Sequence, residues 1–66
     1  MKLTVDQSAD ALYLRLDASQ IIESEEVAPG VILDFNKNDQ VVGVEVLKIS
    51  QRIPDWNPRV LEFETT

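Results

Sequence analysis

Glu23, Glu25 and Glu26 are the densest group of side chains in this sequence that could do chemistry. Carboxylates at that density are the donors a hard cation such as calcium or magnesium takes. On an extended strand Glu23 and Glu25 would share a face roughly 7 Å apart, close enough to hold a cation with waters between them. The glycine-punctuated Asp/Asn loop of a calcium site is missing around them. Charge on a strand also keeps a sheet edge from pairing with other chains. Solvated edge charge is therefore the first reading, contact with a basic partner the second, and metal binding the third.

A second set is Asp10, Arg15, Asp34 and Glu45. Arg15, Asp34 and Glu45 interrupt three separate apolar runs at positions opposite the main apolar side, where they can form a cross-strand ion network. Acid–base work by a carboxylate pair would need one pKa raised by burial, and a chain this short encloses little volume. Asp10 is expected to cap its own turn with its side chain. Ser8, Ser19, Ser24 and Ser50 have no activating base, because the chain has no histidine, and no lysine follows them in a pattern that could serve. Cysteine is absent as well, which excludes a disulfide framework and any thiolate zinc site. No catalytic, cofactor-binding or metal-ligating residue is assigned, no cofactor is implied, and an enzyme is not expected. Tyr13 and Trp56 are the aromatic candidates for an interface or a small core.

The elements that must position these residues have a period of two. Leu12, Leu14 and Leu16 alternate with Tyr13 and Arg15, and Val31, Leu33 and Phe35 with Ile32 and Asp34. Val42, Val44 and Val46 alternate with Gly43 and Glu45, and Leu3 and Val5 give a shorter version. Such alternation makes half-buried strands. Leu14, Leu33 and Val44, central in their strands, are expected among the most buried residues. Ile21 to Val27 reads as an edge strand. Pro29-Gly30 marks a turn, and Asn36 to Gln40 a loop in which Asn38 or Asp39 takes the left-handed position. One short helical turn is allowed near 49–53, ended by Pro54. Beyond it, Pro54 to Pro58 is a stiff connector, and Val60 to Glu64 reads as a sixth short strand or a docked arm. The expected fold is mainly β: a small single-domain antiparallel meander of four to six short strands. Residues 1–52 form the β domain, and residues 53–66 form an extension that packs on that domain or on a second subunit.

The chain has 66 residues and a net charge of −6. That sign disfavours phosphate backbones and anionic membranes, and suits a basic protein partner. No apolar run approaches the ~20 residues that cross a bilayer, and the N-terminus lacks a signal-peptide core, so the cytoplasm is the expected location. Folding a monomer of this size buries surface that contributes about 100 kcal/mol. Ordering the chain costs about the same. Extra burial must come from elsewhere. Tyr13, Ile32, Val41 and Leu47 would leave an apolar second face, and with Trp56, Leu61 and Phe63 they are the expected interface of a homodimer.

Three stretches carry a family resemblance: Asp10 to Leu16, Glu25 to Asp34, and Val41 to Leu47. Over Leu3 to Arg52 the chain resembles the small prokaryotic proteins filed as domain of unknown function 2283. Residues 53–66 are similar to tails on cyanobacterial members. The resemblance implies a compact β-rich bacterial domain with no assigned activity. Some members lie beside small toxin-like proteins of the ribonuclease-fold type, which implies an antitoxin-like partner role. The function expected is thus a small interaction module, homodimeric and binding a protein partner. The alternative is a small-ligand or divalent-metal-binding domain using surface carboxylates.

Overall fold

The computed structural model describes residues 1–66. Five strands follow in order: β1 (Lys2–Asp6), β2 (Ala11–Arg15), β3 (Glu23–Ala28), β4 (Val31–Phe35) and β5 (Val41–Leu47), then one helical turn, α1 (Ile49–Arg52). They form a single antiparallel sheet in the order β1-β2-β5-β4-β3. Two runs of adjacent hairpins, β1-β2 and β3-β4-β5, meet where β2 pairs with β5. The β2–β3 connection therefore crosses from the middle of the sheet to its far edge. β5 takes the central place. Its sequence, Val-Val-Gly-Val-Glu-Val-Leu, is the most β-branched in the chain, which suits a strand paired on both sides.

Each turn has an identifiable cause. In the β1–β2 turn Asp10 sits at φ 51, and the Asp6 carboxylate accepts the Ala9 N–H at 3.0 Å and the Ser8 hydroxyl at 3.1 Å. Gly30, at φ 73, makes the β3–β4 turn, and its N–H donates to Glu26 Oε1 at 3.0 Å. Asp39, at φ 60, takes the left-handed position of the β4–β5 turn. Asn36, buried beneath that turn, accepts the Asn38 and Gln40 N–H groups at 3.0 Å each. After β5, Lys48 at φ 54 reverses the chain into α1. Ile53 is extended before Pro54, as the residue ahead of a proline must be.

The register sorts the side chains onto two faces. One face is apolar: Leu3–Leu14–Val44–Leu33 line up across four strands, as do Val5–Leu12–Val46–Val31. The other carries Thr4–Tyr13–Glu45–Ile32 and Lys2–Arg15–Gly43–Asp34–Ser24. No second layer lies on the apolar face. Leu14, Leu33 and Val44 are only half-buried, contrary to expectation, because a central place in a strand gives burial only where something covers the strand. The most buried residue is Val42, in β5 at the irregular register opposite Phe35, followed by Asn36, Ala11, Ile49 and Asp34, at a turn, at strand and helix junctions and on the polar face.

The tail adds no strand to its own sheet. Leu61 to Thr66 join no strand, and none of their backbone groups takes part in a backbone hydrogen bond. Val60, Leu61 and Phe63 are 63%, 69% and 78% exposed. The accessible surface of 5253 Å² exceeds the roughly 4,200 Å² of a compact chain of this mass. The radius of gyration, 12.8 Å, likewise exceeds a compact value of about 10.8 Å. The free tail and the open face account for the excess. No helix is long and apolar enough to cross a membrane.

Candidate functional site

Asp34 anchors the one polar cluster that the sheet assembles. It stands on the polar face of β4, one strand in from the β3 edge, and is 9% exposed. Its neighbour on β5 is Gly43, and its neighbour on β3 is Ser24. The absent side chain at Gly43 leaves room for two groups to meet over the sheet. Tyr13 donates its hydroxyl to Asp34 Oδ2 at 2.8 Å, and Ser24 donates to Oδ1 at 2.5 Å. A Cβ at Gly43 would stand 2.9 Å from Asp34 Oδ2 and closer still to the Tyr13 hydroxyl. Arg15 approaches the same hydroxyl, Nη1 to O at 3.4 Å, and anchors its guanidinium on the Asp17 and Ser19 carbonyls. No buried side-chain polar atom is left without a partner.

The expected Arg15–Asp34–Glu45 ion network forms only in part. Arg15 and Asp34 are joined through the Tyr13 hydroxyl, not by a direct ion pair. Glu45, between Tyr13 and Ile32 in the register, makes none of these bonds. The reason is spacing: Arg15 and Asp34 share one cross-strand row, with Gly43 between them, while Glu45 sits in the next. A tyrosine long enough to reach diagonally fills the gap.

Asp10 does something the sequence did not indicate. It accepts the Ser50 N–H at 3.1 Å and the Ser50 hydroxyl at 2.6 Å, clamping the first turn of α1 to the β1–β2 turn forty residues away. Asp6, not Asp10, stabilises the local turn. The four serines considered as nucleophiles each donate to an aspartate: Ser8 to Asp6, Ser19 to Asp17, Ser24 to Asp34 and Ser50 to Asp10. The Ala9 N–H, followed by the Ser8 hydroxyl, holds the Asp6 pKa below its ordinary value. The Ser19 hydroxyl and then its N–H do the same for Asp17.

The glutamates of β3 are fully exposed and do not converge. Glu23 and Glu25 lie on the apolar side, opposite Phe35 and Leu33, while Glu26 lies on the other, opposite Ile32. No group of three carboxylates is arranged to hold a metal ion.

Three of the expected interface residues share one face of the sheet, and the others lie at its end or on the tail. Tyr13, Ile32 and Leu47 are half-buried on the polar face, and Val41 is 38% exposed beside the irregular register near Phe35. Trp56 is half-buried and lines a shallow hollow with Val5, Ile49 and Pro58 at the end of the sheet. Leu61 and Phe63 stand free on the tail. The alternating leucines and valines read as a core in the sequence, but nine apolar side chains on one sheet face need a second layer, which a four-residue helical turn does not supply.

A five-stranded open sheet, one helical turn and a polar lock around a buried aspartate define a small β-sheet module. The profile of the family described as "Protein of unknown function (DUF2283)" matches residues 2–50, and the chain belongs to that family. The matched span runs from β1 through the start of α1 and leaves the tail outside it. No curated protein and no solved structure matches the chain.

Proposed function

We propose that this protein is an interaction module that pairs with a second copy through the apolar face of its sheet. The observation that carries the reading is that face itself: Leu3, Val5, Leu12, Leu14, Val31, Leu33, Phe35, Val44 and Val46 share it, and no helix or further strand packs over it. Five strands about 4.8 Å apart and five residues of about 3.4 Å each give it about 400 Å² in plan. That is at the level of the largest apolar patches single chains leave exposed, and its accessible area is larger. Two such faces packed about 10 Å apart make a sandwich core, and a two-fold axis closes it. The opposite face is a poorer interface, because the polar Tyr13–Asp34–Ser24 cluster reaches across it from β2 to β3. With a net charge of −6, the surfaces left outside the pair suit a basic protein partner.

Leu33 and Ile32 are adjacent in β4 and point to opposite faces. Light scattering at micromolar concentration is expected to give twice the chain mass for the unmodified protein and for Ile32→Glu, and the single-chain mass for Leu33→Glu. A dimer disrupted by Ile32→Glu and kept by Leu33→Glu would move the interface to the polar face. A monomeric unmodified protein would end the proposal.

A further inference from the structure

The tail and the two open edges of the sheet fit together in one way. Val60 to Glu64 has a strand pattern, with Leu61 and Phe63 on one side and Glu62 and Glu64 on the other, yet it is unpaired and exposed. The edges offered to it are β3 and β1. β3 presents Glu23, Glu25 and Glu26, which repel an acidic strand, and its register is broken between Glu26 and Ala28. β1 carries Lys2, and its half-buried Leu3 and Val5 lie on the apolar face. Pro58 lines the hollow beside Val5, Asp6 and Gln7, so a tail leaves the connector at the C-terminal end of a β1 strand. On its own β1 a segment leaving from there would run antiparallel, and exchange of that segment between copies keeps the same direction. The register that sets Phe63 against Leu3 and Leu61 against Val5 also sets Glu64 against Lys2 and Glu62 against Thr4. It extends the apolar face by one strand and pairs the one cation of that edge with a carboxylate.

The chain's own tail does not take this place. It turns after Pro58, where the Val60 N–H donates to the Asn57 carbonyl at 3.2 Å, and then leaves the sheet. We infer that the segment Leu61–Glu64 of one copy is a sixth strand on the β1 edge of a second copy, exchanged reciprocally across the dimer. This rests on the paired reading above, and it names the surface the partner copy completes: an edge that holds an extended segment of alternating apolar and acidic residues.

The chain has no cysteine, so a designed disulfide reads the pairing cleanly. Thr4 and Glu62 are both exposed, and opposed residues of an antiparallel pair stand within disulfide range. Thr4→Cys and Glu62→Cys chains, made separately, mixed and oxidised, are expected to give a covalent dimer whose peptide map joins the two substituted positions. Lys2→Glu is expected to cut its yield roughly threefold, the size of a cross-strand ion pair, and Glu64→Lys in the same chain to restore it. No such bond in a mixture whose mass is dimeric overturns the exchanged strand and leaves the dimer standing. An internally bridged single chain from the Thr4→Cys/Glu62→Cys protein overturns it in favour of the tail closing on its own β1. A monomeric mass before oxidation overturns both.

Discussion

Asp34 shows how a residue's neighbours decide what its charge can do. Its carboxylate accepts two hydroxyls and no cation, so the burial cost is met by hydrogen bonds alone. Tyr13→Phe removes one of them without changing shape and leaves Arg15 Nη1 without its acceptor. A loss of about 1–3 kcal/mol is expected, measured by urea unfolding. Gly43→Ala places a methyl against the same hydroxyl and should destabilise the unmodified protein. In Tyr13→Phe the hydroxyl is gone, so the combined cost should fall short of the sum, and a double-mutant cycle tests this. Strict additivity would mean that the alanine is accommodated without touching Tyr13. Asp6 gives a second test at this scale. Its folded pKa lies below the unfolded one, so the stabilisation it contributes is fully present above the usual carboxylate range. It fades as pH falls through the folded value. Asp6→Asn is expected to lose less melting temperature than the unmodified protein on acidification from about pH 6 to about pH 2.

At the scale of elements, what could be read from the sequence was whatever depended on near neighbours. The alternation in Leu12–Leu16, Val31–Phe35 and Val42–Val46 reports strand periodicity directly, and Pro54 and Asp39 mark a helix end and a turn. The Asp6–Ser8 and Asp17–Ser19 pairs are two residues apart and equally local. The strand order was not legible, since nothing in the alternation says that β2 sits beside β5. The links that depend on that order were hidden with it: Tyr13 to Asp34 across β5, and Asp10 to Ser50 across forty residues. Asp10 is the test of how α1 is held. A turn of four residues has no stability of its own, and its Ser50 N–H and hydroxyl rely on this side chain from another element. Asp10→Gly, which keeps the left-handed turn and removes the carboxylate, is expected to cost about 1 kcal/mol, the usual value of a helix cap. It should also red-shift the Trp56 emission, because Trp56 lines the hollow that α1 and the β1–β2 turn share. Unchanged fluorescence would mean that the connector holds Trp56 without α1.

For the molecule as a whole, the same leucine has two different values depending on what lies above it. In a single chain Leu33 is half-buried, and trimming it to alanine removes side chain that was partly in water, leaving no enclosed cavity. In a face-to-face pair it stands at the centre of a closed core, where Leu→Ala costs about 2–5 kcal/mol. Association binds the folded state and not the unfolded one, so the melting temperature of a dimer rises with concentration. The unmodified protein is therefore expected to melt at a temperature that climbs steadily from about 1 μM to about 100 μM. Leu33→Ala should melt lower, with most of the deficit appearing where the unmodified chain is paired. Ile32→Ala, one residue along and on the polar face, should shift both ends of that range equally. Melting curves that superimpose at every concentration would show that the apolar face is stable in water, and would leave the paired sheet without its driving force.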